Sequence, residues 1–234
     1  MSDGNQFSIS TQLTRERSIL RNVYLWMTGG LALTGLVGYG VSNSPSIMRA
    51  LILNPVLFFG LIIGELILVL FLSSRITSLS PAAATALFTG YSALNGVTLS
   101  LVFMAYTETS IHSAFFITAA TFGGMSVYAL TTKRDLTGLG HYLIMGLWGV
   151  IIASVINIFL RSEALYWITS YVGVAVFLGL TAYDTQIIKG WSSELSDSVG
   201  EAEYLKLSIL GALKLYLDFI NLFLFFLRIF GRRR

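Results

Sequence analysis

Apolar residues run in blocks of roughly 18 to 24, broken by short polar stretches, along most of this chain. A helix needs about 20 apolar residues to cross the hydrocarbon core of a bilayer. The pattern predicts spans at 24–41, 52–72, 83–105, 112–131, 139–160, 166–187 and 207–230. Breakers fall between them at Asn43-Ser44-Pro45 and Ser78-Leu79-Ser80-Pro81. The longest connection, Gly190 to Glu203, is also the most acidic, with Glu194, Asp197, Glu201 and Glu203. The organisation expected is a cytoplasmic segment at 1–23, a transmembrane domain at 24–230 and a basic tail at 231–234. No internal repeat stands out, so an inverted-repeat transporter finds no support.

Composition agrees with that picture. Of 234 residues, 55% are apolar and 12% charged, against about 25% charged in soluble domains. The absence of cysteine excludes disulfides, thiolate chemistry and cysteine metal sites. Met1 to Arg21 is too polar for a signal peptide, so the first apolar run is expected to remain as a span. His112 and His141 are far apart and read as interfacial residues, without metal-ligand spacing. The HExxH, GxSxG, P-loop and dinucleotide motifs are absent, and neither an enzyme nor a cofactor is expected.

The net charge is +3, and its placement suggests membrane orientation and anionic headgroups, with no nucleic-acid partner. With the N-terminus inside, Arg15, Arg17, Arg21, Arg75, Lys133, Arg134, Lys189 and Lys206 lie on the cytoplasmic side. The opposite loops carry Arg49 and Arg161. Arg228 and Arg232 to Arg234 are the exception, because seven crossings would place them outside as well.

Small residues indicate where helices can approach. Gly60 and Gly64 form a GxxxG in the second span, and Gly29, Gly30, Gly35 and Gly38 stud the first. Packing within the chain is the expected role of the GxxxG, with dimerisation the alternative. Trp26, Trp167 and Trp191 sit near span ends, where indole suits the headgroup region.

Charged residues inside spans call for a cause, since a charge at the bilayer centre costs about 2.5–3.5 kcal/mol on insertion scales. The candidates are Glu65 in the second span, Asp184 late in the sixth, and Lys214 and Asp218 in the seventh. Antiparallel packing of the last two spans can set Asp184 and Asp218 at similar depth. Facing each other out of water, two carboxylates resist ionising together and tend to share one proton. Loss of that proton turns attraction into repulsion and frees oxygen ligands that suit a hard cation such as Ca²⁺. Lys214 and Asp218, spaced i, i+4, also admit simple local neutralisation. Glu65 can equally be a protonated acid bonded to a backbone carbonyl, and Arg75 can simply snorkel. Tyr183-Asp184 matches the first half of the intramembrane aspartyl protease signature, but Leu215-Tyr216-Leu217 precedes Asp218 where the GxGD half requires glycines.

Gly179-Leu-Thr-Ala-Tyr-Asp-Thr-Gln186 and Leu215-Tyr-Leu-Asp-Phe-Ile-Asn-Leu-Phe223 closely resemble the sixth- and seventh-helix signatures of the Bax inhibitor-1, or transmembrane Bax inhibitor motif, family. Further resemblance lies at Phe88 to Leu99, at Thr131 to Leu136 and in Arg228-Ile-Phe-Gly231, and it points to the bacterial inner-membrane branch. The resemblance implies an all-α fold of seven transmembrane helices, six surrounding a central seventh. It implies a pH-sensitive calcium leak controlled by a di-aspartyl unit matching Asp184 and Asp218, which would touch Ca²⁺ transiently. An arginine at the end of the second helix, for which Arg75 is the nearest match, would latch the sixth-helix aspartate. Lys214 departs from the small polar residue expected there and would tune the response, as could Glu65. The partners expected are the bilayer, Ca²⁺ and protons. The alternative function is a regulatory membrane protein that modulates a membrane-bound quality-control protease, as some bacterial relatives do.

Overall fold

The computed structural model describes residues 3–194 and 200–234, with side chains described from 19 to 191 and from 200 onward. Eight α-helices follow in order: α1 Asp3–Ser42, α2 Pro45–Leu53, α3 Pro55–Arg75, α4 Pro81–Ala105, α5 Glu108–Thr131, α6 Gly140–Leu160, α7 Glu163–Glu194 and α8 Glu201–Phe230. Among the described residues there is no strand, only an isolated bridge between Tyr106 and Arg233. Among the described residues six helices, α3 to α8, are long and apolar enough to cross a membrane. The first predicted span falls on the C-terminal half of α1, whose glycines, threonines and tyrosines dilute its apolar content, and α1 is not among the six.

Three features differ from the sequence reading. A short helix, α2, precedes α3, because Pro55 disfavours helical geometry at Asn54 and the second span therefore starts afresh. Asn54 caps the restart, its Oδ1 accepting from Leu57 N at 3.1 Å. The polar stretch before the first span continues the same helix from Asp3. The acidic connection is also shorter than expected, since α7 runs to Glu194 and α8 starts at Glu201. Asp197 and the side chain of Glu194 lie outside the described residues.

The chain divides into two compact units. The first comprises 1–105, 189–216 and 234, and the second 106–188 and 217–233, so α8 contributes to both. Burial differs sharply between helices: 72% of the most apolar stretch of α8 is buried, against 6% for α3 and for α6. α3 and α6 turn their apolar side chains outward, as a lipid solvent permits.

In the first unit α1 packs closely on α4. A Cβ on Gly96 would lie 2.7 Å from the Thr34 carbonyl oxygen, and one on Gly30 would lie 2.8 Å from the Phe88 ring. The GxxxG of α3 behaves otherwise: nothing lies within 4 Å of where a Cβ on Gly60 or Gly64 would stand. The expectation that this motif packs within the chain is therefore corrected. Its spacing marks a smooth face, and among the described residues no atom packs within van der Waals reach of it.

In the second unit α6 ends on Arg161, whose φ of 50° is left-handed and whose N–H donates to Asn157 O at 2.9 Å. Glycine ordinarily takes such a position, and an L side chain there costs about 1–2 kcal/mol. Arg161→Gly is accordingly expected to stabilise the protein in neutral detergent by roughly 1 kcal/mol, read as a rise of about 2–4 °C in melting temperature.

Candidate functional site

The second unit holds both aspartates, Asp184 on α7 and Asp218 on α8, and they are 6% and 4% exposed. Around Asp184 the helix is tightly fixed. Gln186, two residues on, accepts from Leu136 N at 2.6 Å and donates to Arg134 O at 2.9 Å, which holds the α5–α6 connection against α7. Tyr183 covers Gly140 at the start of α6 so closely that a Cβ there would lie 2.6 Å from its ring. Thr185 is fully buried, and its hydroxyl has no hydrogen-bond partner among the described residues. Beside Asp218, Phe219 packs edge-on against Phe115 and Phe122 of α5, with centroids 5.7 and 5.5 Å away. The carboxylates thus stand on helices anchored by neighbours on both sides in sequence.

The other candidates lie in the first unit. Arg75 is exposed at the end of α3, where its carbonyl accepts from Ser78 Oγ at 2.8 Å. Lys206 of α8 reaches the same turn and donates to Thr77 O at 2.7 Å. Lys214 is half-buried, one helical turn before Asp218. Among the described residues no group of three or more His, Asp or Glu side chains could hold a metal ion.

Glu65 is not bonded to a backbone carbonyl. Its carboxylate accepts from Thr98 Oγ1 at 2.9 Å and from Asn95 Nδ2 at 3.4 Å, both on α4. Asn95 Oδ1 in turn accepts from the Tyr216 hydroxyl of α8 at 3.1 Å, and that hydroxyl lies 2.7 Å from Thr34 Oγ1 of α1. Ser92 O, 2.8 Å from Thr34 Oγ1, is an alternative acceptor for the single Thr34 hydroxyl proton. One chain of polar groups therefore ties α1, α3, α4 and the first half of α8 together where lipid offers no alternative partners. Of this polar chain only Glu65 stands out in the sequence; Tyr216 and Thr34 do not, because single hydroxyls in apolar helices carry no positional signal. Tyr216→Phe should cost about 1 kcal/mol of thermal stability, since Thr34 retains its backbone acceptors and Asn95 loses its donor. Differential scanning fluorimetry of the purified protein checks this.

Comparison with known proteins fits the geometry. The sequence profile of the family described as "Inhibitor of apoptosis-promoting Bax1" matches residues 16–234. Inner membrane protein YbhL of Escherichia coli K12 is 52% identical over 93% of both chains. An uncharacterized protein of Borreliella burgdorferi is 46% identical over 94% of both, and an uncharacterized membrane protein of Streptococcus pyogenes serotype M1 is 39% identical over 90% of both. The apolar helices and the inner-membrane relative agree on a multi-pass protein of the inner membrane. Both aspartates and the polar chain of the first unit lie within the matched residues, and the chain belongs to the Bax inhibitor-1 family.

Proposed function

We propose that this protein is a pH-sensitive, low-flux cation leak, suited to Ca²⁺, in which Asp184 and Asp218 act as sensor and gate and Arg75 is a candidate latch. The observation that carries the reading is the burial of two carboxylates, 6% and 4% exposed, on apolar helices of one compact unit. Ionising both in a medium of low dielectric is costly, and one shared proton removes most of that cost. When the proton leaves, the like charges repel, the helices part, and oxygens become available to a hard cation. The unpartnered hydroxyl of Thr185 supplies a further oxygen next to Asp184 in sequence. A central α8 surrounded by six helices belongs to the same proposal, supported by its burial.

The test is Ca²⁺ flux through purified protein in proteoliposomes across a range of pH, comparing wild type with Asp184→Asn and Asp218→Asn. If both variants keep the flux and pH response of the wild type, the leak reading fails, and regulation of a membrane-bound protease becomes the better account.

A further inference from the structure

A cavity of about 450 Å³ opens in the second unit, at the ends of α6 and α8 and the starts of α5 and α7. Its lining brings together Arg161, Arg228 and Arg233 with a single carboxylate, Glu163. These residues come from separate parts of the sequence, and the fold holds two of the three arginines in place. The Arg228 guanidinium lies 4.3 Å from the centre of the Tyr166 ring and donates to Tyr166 O at 3.4 Å. Arg233 lies over Tyr106 at 5.9 Å, and the strand-like pairing of the tail fixes it there: Thr107 N donates to Arg232 O at 3.1 Å, and Arg232 N to Ser110 Oγ at 2.9 Å.

The position of the cavity matters as much as its content. It sits at the opposite end of α5 from Lys133 and Arg134, the basic pair expected in the cytoplasm. Arginines on the other face run against the usual charge bias of membrane proteins and need a separate cause. Compensation of a helix C-terminus accounts for Arg228 alone. It does not account for Arg161 and Arg233 converging on the same space. Trp167, stacked on Tyr171 with centroids 6.0 Å apart, also lines the cavity and marks headgroup depth.

We propose that this cavity binds a phosphate-bearing anion, and that a lipid phosphodiester with hydroxyl groups on its alcohol is the source that fits the lining. Guanidinium groups match phosphate oxygens in pairs, and three of them outweigh one carboxylate. Glu163 then accepts from a headgroup hydroxyl, which phosphatidylglycerol offers and phosphatidylcholine lacks. The volume falls within the range of small-molecule sites, about 300–1,000 Å³.

The test uses the full chain in neutral detergent, with lipid retention read by native mass spectrometry. Phosphatidylglycerol and phosphatidylcholine of identical acyl chains are compared, and inorganic phosphate is titrated separately against thermal stability. The exposed arginines are replaced together, Arg161→Gln with Arg233→Gln, which spares the packed Arg228. Lys133→Gln with Arg134→Gln serves as a charge-matched control at the far end of α5. Wild type and control should retain phosphatidylglycerol over phosphatidylcholine by roughly tenfold, and the Arg161/Arg233 variant should lose that preference. Protection of wild type by millimolar phosphate, absent in the Arg161/Arg233 variant and without lipid preference, supports the anion site and assigns it a soluble source. Equal retention of both lipids by wild type with no phosphate effect overturns the proposal, as does undiminished preference in the Arg161/Arg233 variant.

Discussion

Proteoliposomes carrying Asp218→Asn should show Ca²⁺ flux that no longer varies with pH, while wild-type flux rises with pH. The sign follows from the gate: loss of the shared proton opens it, so the open fraction grows with pH. One titrating group changes its ionised-to-protonated ratio tenfold per pH unit, so the expected wild-type response is a rise of up to about tenfold per pH unit where the gate opens. Asparagine keeps the shape of aspartate and cannot carry its charge, so repulsion never develops and flux stays near its low-pH value. Asp184→Asn should behave alike, because either member of a coupled pair disables it. Lys214 discriminates further. If its ammonium, one turn from Asp218, helps stabilise the carboxylate, Lys214→Ser should move the pH of half-maximal flux upward. A variant that leaves the midpoint in place removes Lys214 from the gate.

Gly96→Ala is expected to destabilise the protein by about 1–3 kcal/mol, whereas Gly90→Ala, on the same helix, should stabilise it by up to about 1 kcal/mol. The added methyl at Gly96 meets the Thr34 carbonyl at 2.7 Å and Val37 Cβ at 2.8 Å, and neither is the far end of a flexible side chain. α1 must therefore move off α4. That movement also strains the bond from Thr34 to Ser92 O and the contact of Thr34 with Tyr216. At Gly90 nothing lies within 4 Å of the new atom, so only the gain in helix propensity remains. Thermal unfolding of both variants in one detergent measures the contrast. Two curves shifted in the same direction would refute the close α1–α4 contact as its cause.

The parts of this structure legible in the sequence are those governed by long-range averages. Twenty apolar residues leave a helix little choice but to span, and Pro45 and Pro81 each begin a helix because proline fits its first turn. The spans expected second to seventh correspond to the six long apolar helices. The seven helices implied by the family resemblance go beyond this, since among the described residues six helices meet that length and apolarity. Features set by which face a residue occupies were harder to read. Gly60 and Gly64 have the spacing of a packing motif yet leave open space where a Cβ would stand, while Gly96, outside any GxxxG, makes the tight contact. The aspartates stood out through the cost of burying charge. Tyr216 and Thr34 did not, since a hydroxyl is inexpensive enough to occur anywhere in a membrane helix. Arg161 in a left-handed turn had no sequence signal, because glycine or asparagine is the residue that announces one.

The contrast in burial between helices bears on how the protein is made. α6, little buried and strongly apolar, can leave the translocation machinery for lipid as an independent segment, and α3, the most apolar of the six, brings only the single carboxylate of Glu65 with it. α8 carries Lys214 and Asp218 and hides most of its apolar surface against other helices. Alone in lipid it would bring both polar groups with it, at the insertion cost of each. It is also synthesised after the helices that flank it in both units. Its integration is therefore better described as docking onto an assembled receptor than as partitioning, and slower synthesis of α8 should leave the earlier helices inserted but protease-sensitive.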